Sequence, residues 1–146
     1  MQKKEIRERM DRVVNLRRAA LRTEFASIGL TLGQGQGEPR ILRALRANGA
    51  MTQRALADAC FLEPATLSRT LDRMESAGFL ARRPHPDSRR AFLIDLTPLG
   101  QEKADAVCAR LAVWDEELLA GFSEEELEWL RDALRRMNDN LERNTR

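Results

Sequence analysis

Two groups of residues in this chain of 146 have types and spacings suited to recognition chemistry. The first is the run Pro64-Ala65-Thr66-Leu67-Ser68-Arg69, continuing to Asp72 and Arg73. Read as a helix, it turns Leu67, Leu71 and Met74 inward and exposes Ala65, Thr66, Ser68, Arg69, Asp72 and Arg73. Small and hydroxyl side chains allow close approach to a DNA base edge, and an arginine there can take guanine O6 and N7 bidentately. Arg73, one turn later, suits a phosphate. Taken alone, the pattern suits a solvated helix face equally well. The second group is Arg82, Arg83, Arg89 and Arg90, at the two roots of one short loop, with His85 and Asp87 near its tip. Like charges so close repel one another, and a polyanion relieves the repulsion. A narrow basic tip fits the strongly negative minor groove. Asp87 is placed to orient a neighbouring guanidinium such as that of Arg89.

Catalysis finds no such support. His85 is the single histidine, set between two prolines, so no Ser-His-Asp set assembles around it and no His-rich metal site exists. The glycines at 29, 33, 35 and 37 match no phosphate-cradle spacing and follow no strand, so that segment reads as a connector. No cofactor or metal is expected. The two cysteines argue against a disulfide scaffold and suit a reducing cytoplasm. A sensor thiol should be exposed with a lowered pKa. Cys60 reads as buried beside Phe61 and Leu62, and Cys108 lies beside Val107 and Leu111 on a long helix. A redox-responsive regulator and a protein-interaction module are the alternatives to DNA binding.

The elements that must position these residues follow from periodicity and punctuation. A long first helix carries Ile6, Met10, Val13, Val14, Leu21, Phe25 and Ile28 on one face, with arginines between. Pro39 sits as a first-turn proline of a short helix with Ile41, Leu42 and Leu45 inward, ending at Asn48-Gly49. Thr52 caps the next helix, and Pro64 opens the third, which Gly78 closes. From Phe79 the period changes to two. Residues 79–84 and 91–96 read as strands and the proline-rich stretch between them as a loop. Two short helices, a tight turn and a hairpin make a winged helix-turn-helix. Thr97 and Pro98 start a long helix with Val107, Leu111, Trp114 and Leu118 in its stripe. Ser123 and Glu126 form a capping box for a last helix, along which Leu127, Leu130, Leu134, Met137 and Leu141 repeat at alternating steps of three and four. The fold class is therefore mainly α with a small β-hairpin wing, flanked by N- and C-terminal dimerisation helices.

Charge is unevenly spread. Residues 1–48 carry 11 Lys/Arg against 5 Asp/Glu, and residues 101–146 carry 7 against 12. A basic and an acidic end on one small chain suit one surface facing a polyanion. No apolar run approaches a membrane span, and the first residues lack the apolar core of a secretory signal, so no membrane partner is expected.

The run ATLSRTLDRMESAGFLARRPHPDSRRAFLIDLTPLG resembles the MarR family of bacterial winged-helix transcriptional regulators. The resemblance lies in a recognition helix of the form T-x-S-R-x-x-D-R-M-E-x-x-G, an Asp/Arg wing, and a strand ending Leu-Thr-x-x-Gly. It covers residues 30–102 by motif and the whole chain by helix order. In one respect the chain departs: Ser88 stands where the family's wing usually has an acid before the Arg-Arg pair, and Asp87 lies one residue further back. The resemblance implies a single domain over 1–146, with helical dimerisation regions at 1–32 and 101–146 around a DNA-binding lobe at 37–100. It implies a non-enzymatic, cytoplasmic repressor that binds double-stranded DNA as a homodimer. Ala65, Thr66, Ser68, Arg69 and Arg73 then belong to the recognition helix, and Arg83, His85, Asp87, Arg89 and Arg90 to the wing. The apolar stripes point to the same dimer, since an uncovered leucine seam is a liability on a monomer. Ile6, Met10, Val13, Leu127, Leu130, Leu134, Met137 and Leu141 are the expected interface. The family's release of DNA by a small aromatic or anionic effector would place a pocket near Phe25, Ile28, Leu42, Leu45, Leu111 and Trp114; as stripe residues, these also suit the core.

Overall fold

A computed structural model describes residues 2–30 and 37–145. Gly33 and Gly35 of the expected connector lie outside the described residues. Among the described residues are six helices and one three-stranded antiparallel sheet: α1 (Gln2–Ala26), α2 (Gly37–Asn48), β1 (Met51–Thr52), α3 (Gln53–Cys60), α4 (Pro64–Ser76), β2 (Leu80–His85), β3 (Ser88–Leu96), α5 (Pro98–Leu118) and α6 (Glu124–Asn144). This is the winged-helix class read from the sequence. Among the described residues, no helix is long and apolar enough to cross a membrane. The chain divides into two compact units, Met1–Arg110 and Leu111–Arg146, and the expected DNA-binding lobe lies within the first.

The first unit is built around inward faces of its short helices. Ile41, Leu42 and Leu45 of α2, Leu56 of α3, and Leu67, Leu71 and Met74 of α4 are fully buried with Leu80 and Ile94 of the sheet. Leu21 and Phe25, near the end of α1, and Leu30 beyond it join this core. The rest of α1 exposes its apolar stripe, including Ile6, Met10 and Val13. Burying a Leu-sized side chain contributes roughly 1.5–3 kcal/mol. The inward stripes of α2 and α4 therefore fix where the outward residues of α4 must point.

The sheet holds one strand more than the sequence suggested. β1 pairs through Met51 with Ile94 and through Thr52 with Leu93, giving the order β1-β3-β2. Thr52 still caps α3, its hydroxyl accepting from the Ala55 N–H at 3.2 Å. The wing is also tighter than the proline-rich loop implied. β2 runs to His85 and β3 starts at Ser88, so only Pro86 and Asp87 connect them. Pro84 is tolerated within β2 because β2 is an edge strand, where a missing N–H breaks no inner ladder.

The junction between α4, the sheet and α5 explains the Gly and Leu-Thr-x-x-Gly positions physically. Gly78 has φ +82°, and the Phe79 and Gly78 N–H groups donate to Met74 and Glu75 carbonyls at 2.9 and 3.0 Å. That is a Schellman ending, which needs a left-handed residue at this point. Thr97 accepts from the Gly100 N–H at 3.0 Å, capping α5, while its hydroxyl donates to the Gly78 carbonyl. A Cβ on Gly100 would sit 1.7 Å from the Phe79 carbonyl oxygen, so only glycine permits this approach.

In the second unit, the capping box of α6 is formed: Glu126 N–H donates to Ser123 Oγ and Ser123 N–H to the Glu126 carboxylate. No residue of α6 is fully buried. Leu127, Leu130 and Met137 are half-buried, and Leu134 and Leu141 are exposed.

Candidate nucleic-acid interface

Helix α4 presents the expected residues in graded exposure. Leu67, Thr70, Leu71 and Met74 face the core. Thr66 and Ser68 are half-buried, and Ala65, Arg69 and Arg73 are exposed. Pro64 opens the helix, and Glu63, its N-cap residue, gives no side-chain cap. Thr70 is satisfied within the helix, its hydroxyl donating to the Thr66 carbonyl at 2.9 Å. The outward edge is thus small and polar at its start and cationic at Arg69 and Arg73.

The arginines around this edge divide into two sets. Arg82 of β2 pairs with both Asp72, at 3.1 Å, and Glu75 of α4. Arg83 pairs with Asp95 across the hairpin at 3.4 Å. Arg73 lies 3.4 Å from the carboxylate of Glu38, a buried residue in the first turn of α2. Arg69, Arg89 and Arg90, by contrast, are exposed and have no carboxylate within ion-pair distance among the described residues. By sequence, Arg82 belongs with the wing's cluster of like charges. The structure instead makes it a tie between wing and recognition helix, and the ten-residue separation from Asp72 gave no local signal of that.

At the tip, His85 Nδ1 accepts from the Asp87 N–H at 3.0 Å, and Ser88 Oγ lies 3.4 Å from the Arg90 N–H. The expected pair between the Asp87 carboxylate and Arg89 is not formed among the described residues. The two-residue turn uses the Asp87 backbone and leaves its side chain exposed. His85 is half-buried and braces the turn as an acceptor, so its ring supports the wing's shape.

Other expected sites fall differently. Phe25, Leu42 and Leu45 are closed in the core and Ile28 is half-buried, while Leu111 and Trp114 belong to the second unit. Cys60 is buried, and burial pushes its thiol pKa up, only partly offset by Arg40 and Arg43. That disfavours the reactive thiolate. Cys108 is half-exposed. No group of three or more potential metal ligands occurs among the described residues.

Comparison with known proteins bears on this geometry. Residues 36–92, from the start of α2 into β3, match the model of the MarR family. By this match the chain resembles the MarR family. It is 35% identical over 107 residues to the HTH-type transcriptional regulator PecS of Dickeya dadantii, covering 71% of this chain and 64% of that protein. It is 26% identical to a MarR-family transcriptional regulator from Silicibacter pomeroyi whose crystal structure superposes with a TM-score of 0.76, over 90% of this chain and 86% of the other. A Listeria monocytogenes protein described as a MarR-family transcriptional regulator, crystallised with a 26mer DNA, is 23% identical, with a TM-score of 0.77 over 89% and 87% of the two chains. The chain spans just under two thirds of the length of the first curated relatives it matches, 64–66%.

Proposed function

We propose that this chain is a regulator of the MarR type, a sequence-specific DNA-binding protein that binds a pseudo-palindromic operator as a homodimer. In this reading Ala65, Thr66, Ser68 and Arg69 meet base edges in the major groove, Arg73 meets a phosphate, and the wing, with Arg89 and Arg90, reaches the adjacent minor groove. One observation carries the reading: among the described residues Arg69, Arg89 and Arg90 have no acidic partner, whereas Arg73, Arg82 and Arg83 are paired. Unpaired arginines on a recognition helix and at a wing tip are placed for phosphate and base-edge acceptors. The tie through Arg82 supports the reading further, since two neighbouring grooves are met together only if helix and wing keep their spacing.

The homodimer is supported by the exposed stripe of Ile6, Met10 and Val13 on α1 and by α6, whose seam from Leu127 to Leu141 contains no fully buried residue. A second copy is the occupant a self-complementary stripe favours. Two-fold symmetry would then set the recognition helices one DNA turn apart, roughly 34–36 Å. Repression, and release by a small aromatic or anionic effector, complete the proposal on the ground of the family resemblance. The function is binding rather than catalysis, exercised where the DNA is, in the cytoplasm.

The reading is tested by fluorescence anisotropy on duplex DNA from the region upstream of the chain's own gene. Arg90→Ala should weaken binding to all duplexes alike, and Arg69→Ala should also relax preference between sequences. Equal, sequence-independent losses from both would remove Arg69 from base reading.

A further inference from the structure

We infer that Glu38 is a positioning residue for DNA binding: buried at the start of α2, it holds the guanidinium of Arg73 so that this arginine meets a backbone phosphate already oriented. The inference rests on the DNA-binding reading above and assigns part of that surface to a residue that does not touch DNA.

Glu38 is 6% exposed, and carboxylates are seldom so buried without a charged or hydrogen-bonding partner. Its Oε1 lies 3.4 Å from Arg73 Nε, while the Arg73 side chain remains 60% exposed. The contact joins separate elements, since Glu38 is in the first turn of α2 and Arg73 in the last turn of α4. Their approach is tight: a Cβ added at Gly37, next to Glu38, would lie 3.3 Å from Thr70 Cγ2, one turn before Arg73. A free arginine loses rotamer freedom when it docks, and that ordering costs affinity. Held in advance through Nε, Arg73 forgoes part of that cost and still has its terminal nitrogens as donors. The carboxylate also subtracts charge, but it is the buried partner and the guanidinium the exposed one. An incoming phosphate therefore meets the cation first.

An acid in a first helical turn also favours the helix dipole, and that purely structural role must be separated. The test is a double-mutant cycle on the full chain, read by anisotropy on duplex DNA from upstream of its own gene. Glu38→Ala should weaken binding about three- to tenfold. Glu38→Gln, which keeps the side chain's size but removes the charge of the ion pair, should weaken binding as well. In an Arg73→Ala background, Glu38→Ala should change affinity by less than about twofold, because the two residues act as one unit. Losses that simply add, or tighter binding by Glu38→Ala, overturn the inference while leaving DNA binding intact. A wild-type chain that binds no duplex overturns the functional reading and this inference with it. A DNA-free measurement completes the test. The Nε–H resonance of Arg73, assigned by its loss in Arg73→Ala, should move in Glu38→Ala, and an unmoved resonance overturns the positioning role.

Discussion

Replacing Arg82 with methionine isolates the tie between wing and recognition helix, because methionine keeps an apolar stem and removes the charge. The Arg82 side chain is only 27% exposed and pairs with Asp72 and Glu75, which are 67% and 42% exposed. At the 3.1 Å separation from Asp72, two unit charges attract by ~1.3 kcal/mol in bulk water. Ordering of long side chains and salt reduce an exposed pair to about 0.2–1 kcal/mol. Two such pairs are lost together, and the Asp72 and Glu75 carboxylates, three residues apart on one helix, then repel without an intervening cation. The expected cost of Arg82→Met is therefore about 1–2 kcal/mol. Urea unfolding at fixed protein concentration measures it directly. The difference from wild type should shrink in 0.5 M salt, roughly, as screening weakens the pairs. A variant as stable as wild type, or a deficit indifferent to salt, would refute the electrostatic tie.

Other perturbations follow from the same geometry. Gly100→Ala should destabilise by about 3 kcal/mol or prevent folding, because the new Cβ meets backbone on the other side; a normal melting temperature would show that α5 can move away. Phe61 holds φ +53° and is 89% exposed, so Phe61→Asn should stabilise by about 0.5–1 kcal/mol in thermal melting, and a loss would mean that the ring packs usefully. The hydrogen bond from Arg46, helped by Gln101, holds the Asp105 carboxyl below its ordinary value. Its contribution is thus present above the unfolded aspartate pKa and lost as pH falls through the lower folded one. The stability gap between wild type and Asp105→Asn should close in acid, and a gap equal at neutral pH and pH ~2 would contradict this. Leu134→Asp should yield a monomer with little DNA affinity, and a tight-binding dimer in sedimentation would remove Leu134 from the interface.

Much of this architecture was legible because each helix carries its own signals. The inward stripes of α2 and α4, Thr52 as a cap, Gly78 as a helix end and the Ser123–Glu126 box each follow from local chemistry. β1 was not legible, since two residues have no period and Met51 and Thr52 gain their strand character only from the pairing with β3. The wing's tip reads from sequence as a loop between residues 84 and 91 because Pro86 and its polar neighbours carry no period of two, whereas β2 extends to His85 and β3 starts at Ser88. Ion-pair partners were the least legible part. Whether an arginine is free or tied depends on residues ten or thirty-five positions away, as with Arg82 and Asp72 or Arg73 and Glu38. The one local pairing expected, Asp87 with a neighbouring arginine such as Arg89, is not formed among the described residues; the turn engages the Asp87 backbone N–H and leaves its side chain exposed.

The central claim is that the unpaired arginines of α4 and the wing bind DNA. It is met most directly by fluorescence anisotropy of the purified chain on duplex DNA from upstream of its own gene, with excess unrelated competitor, across a salt series. The account predicts saturable binding that survives competitor. Log affinity should fall with log salt by ~0.9 for each phosphate neutralised, and the triple variant Arg69→Ala, Arg89→Ala, Arg90→Ala should lose affinity and flatten that slope by ~0.9 for each of its wing arginines that neutralises a phosphate. Binding erased by competitor, or a slope unchanged in the triple variant, would contradict it.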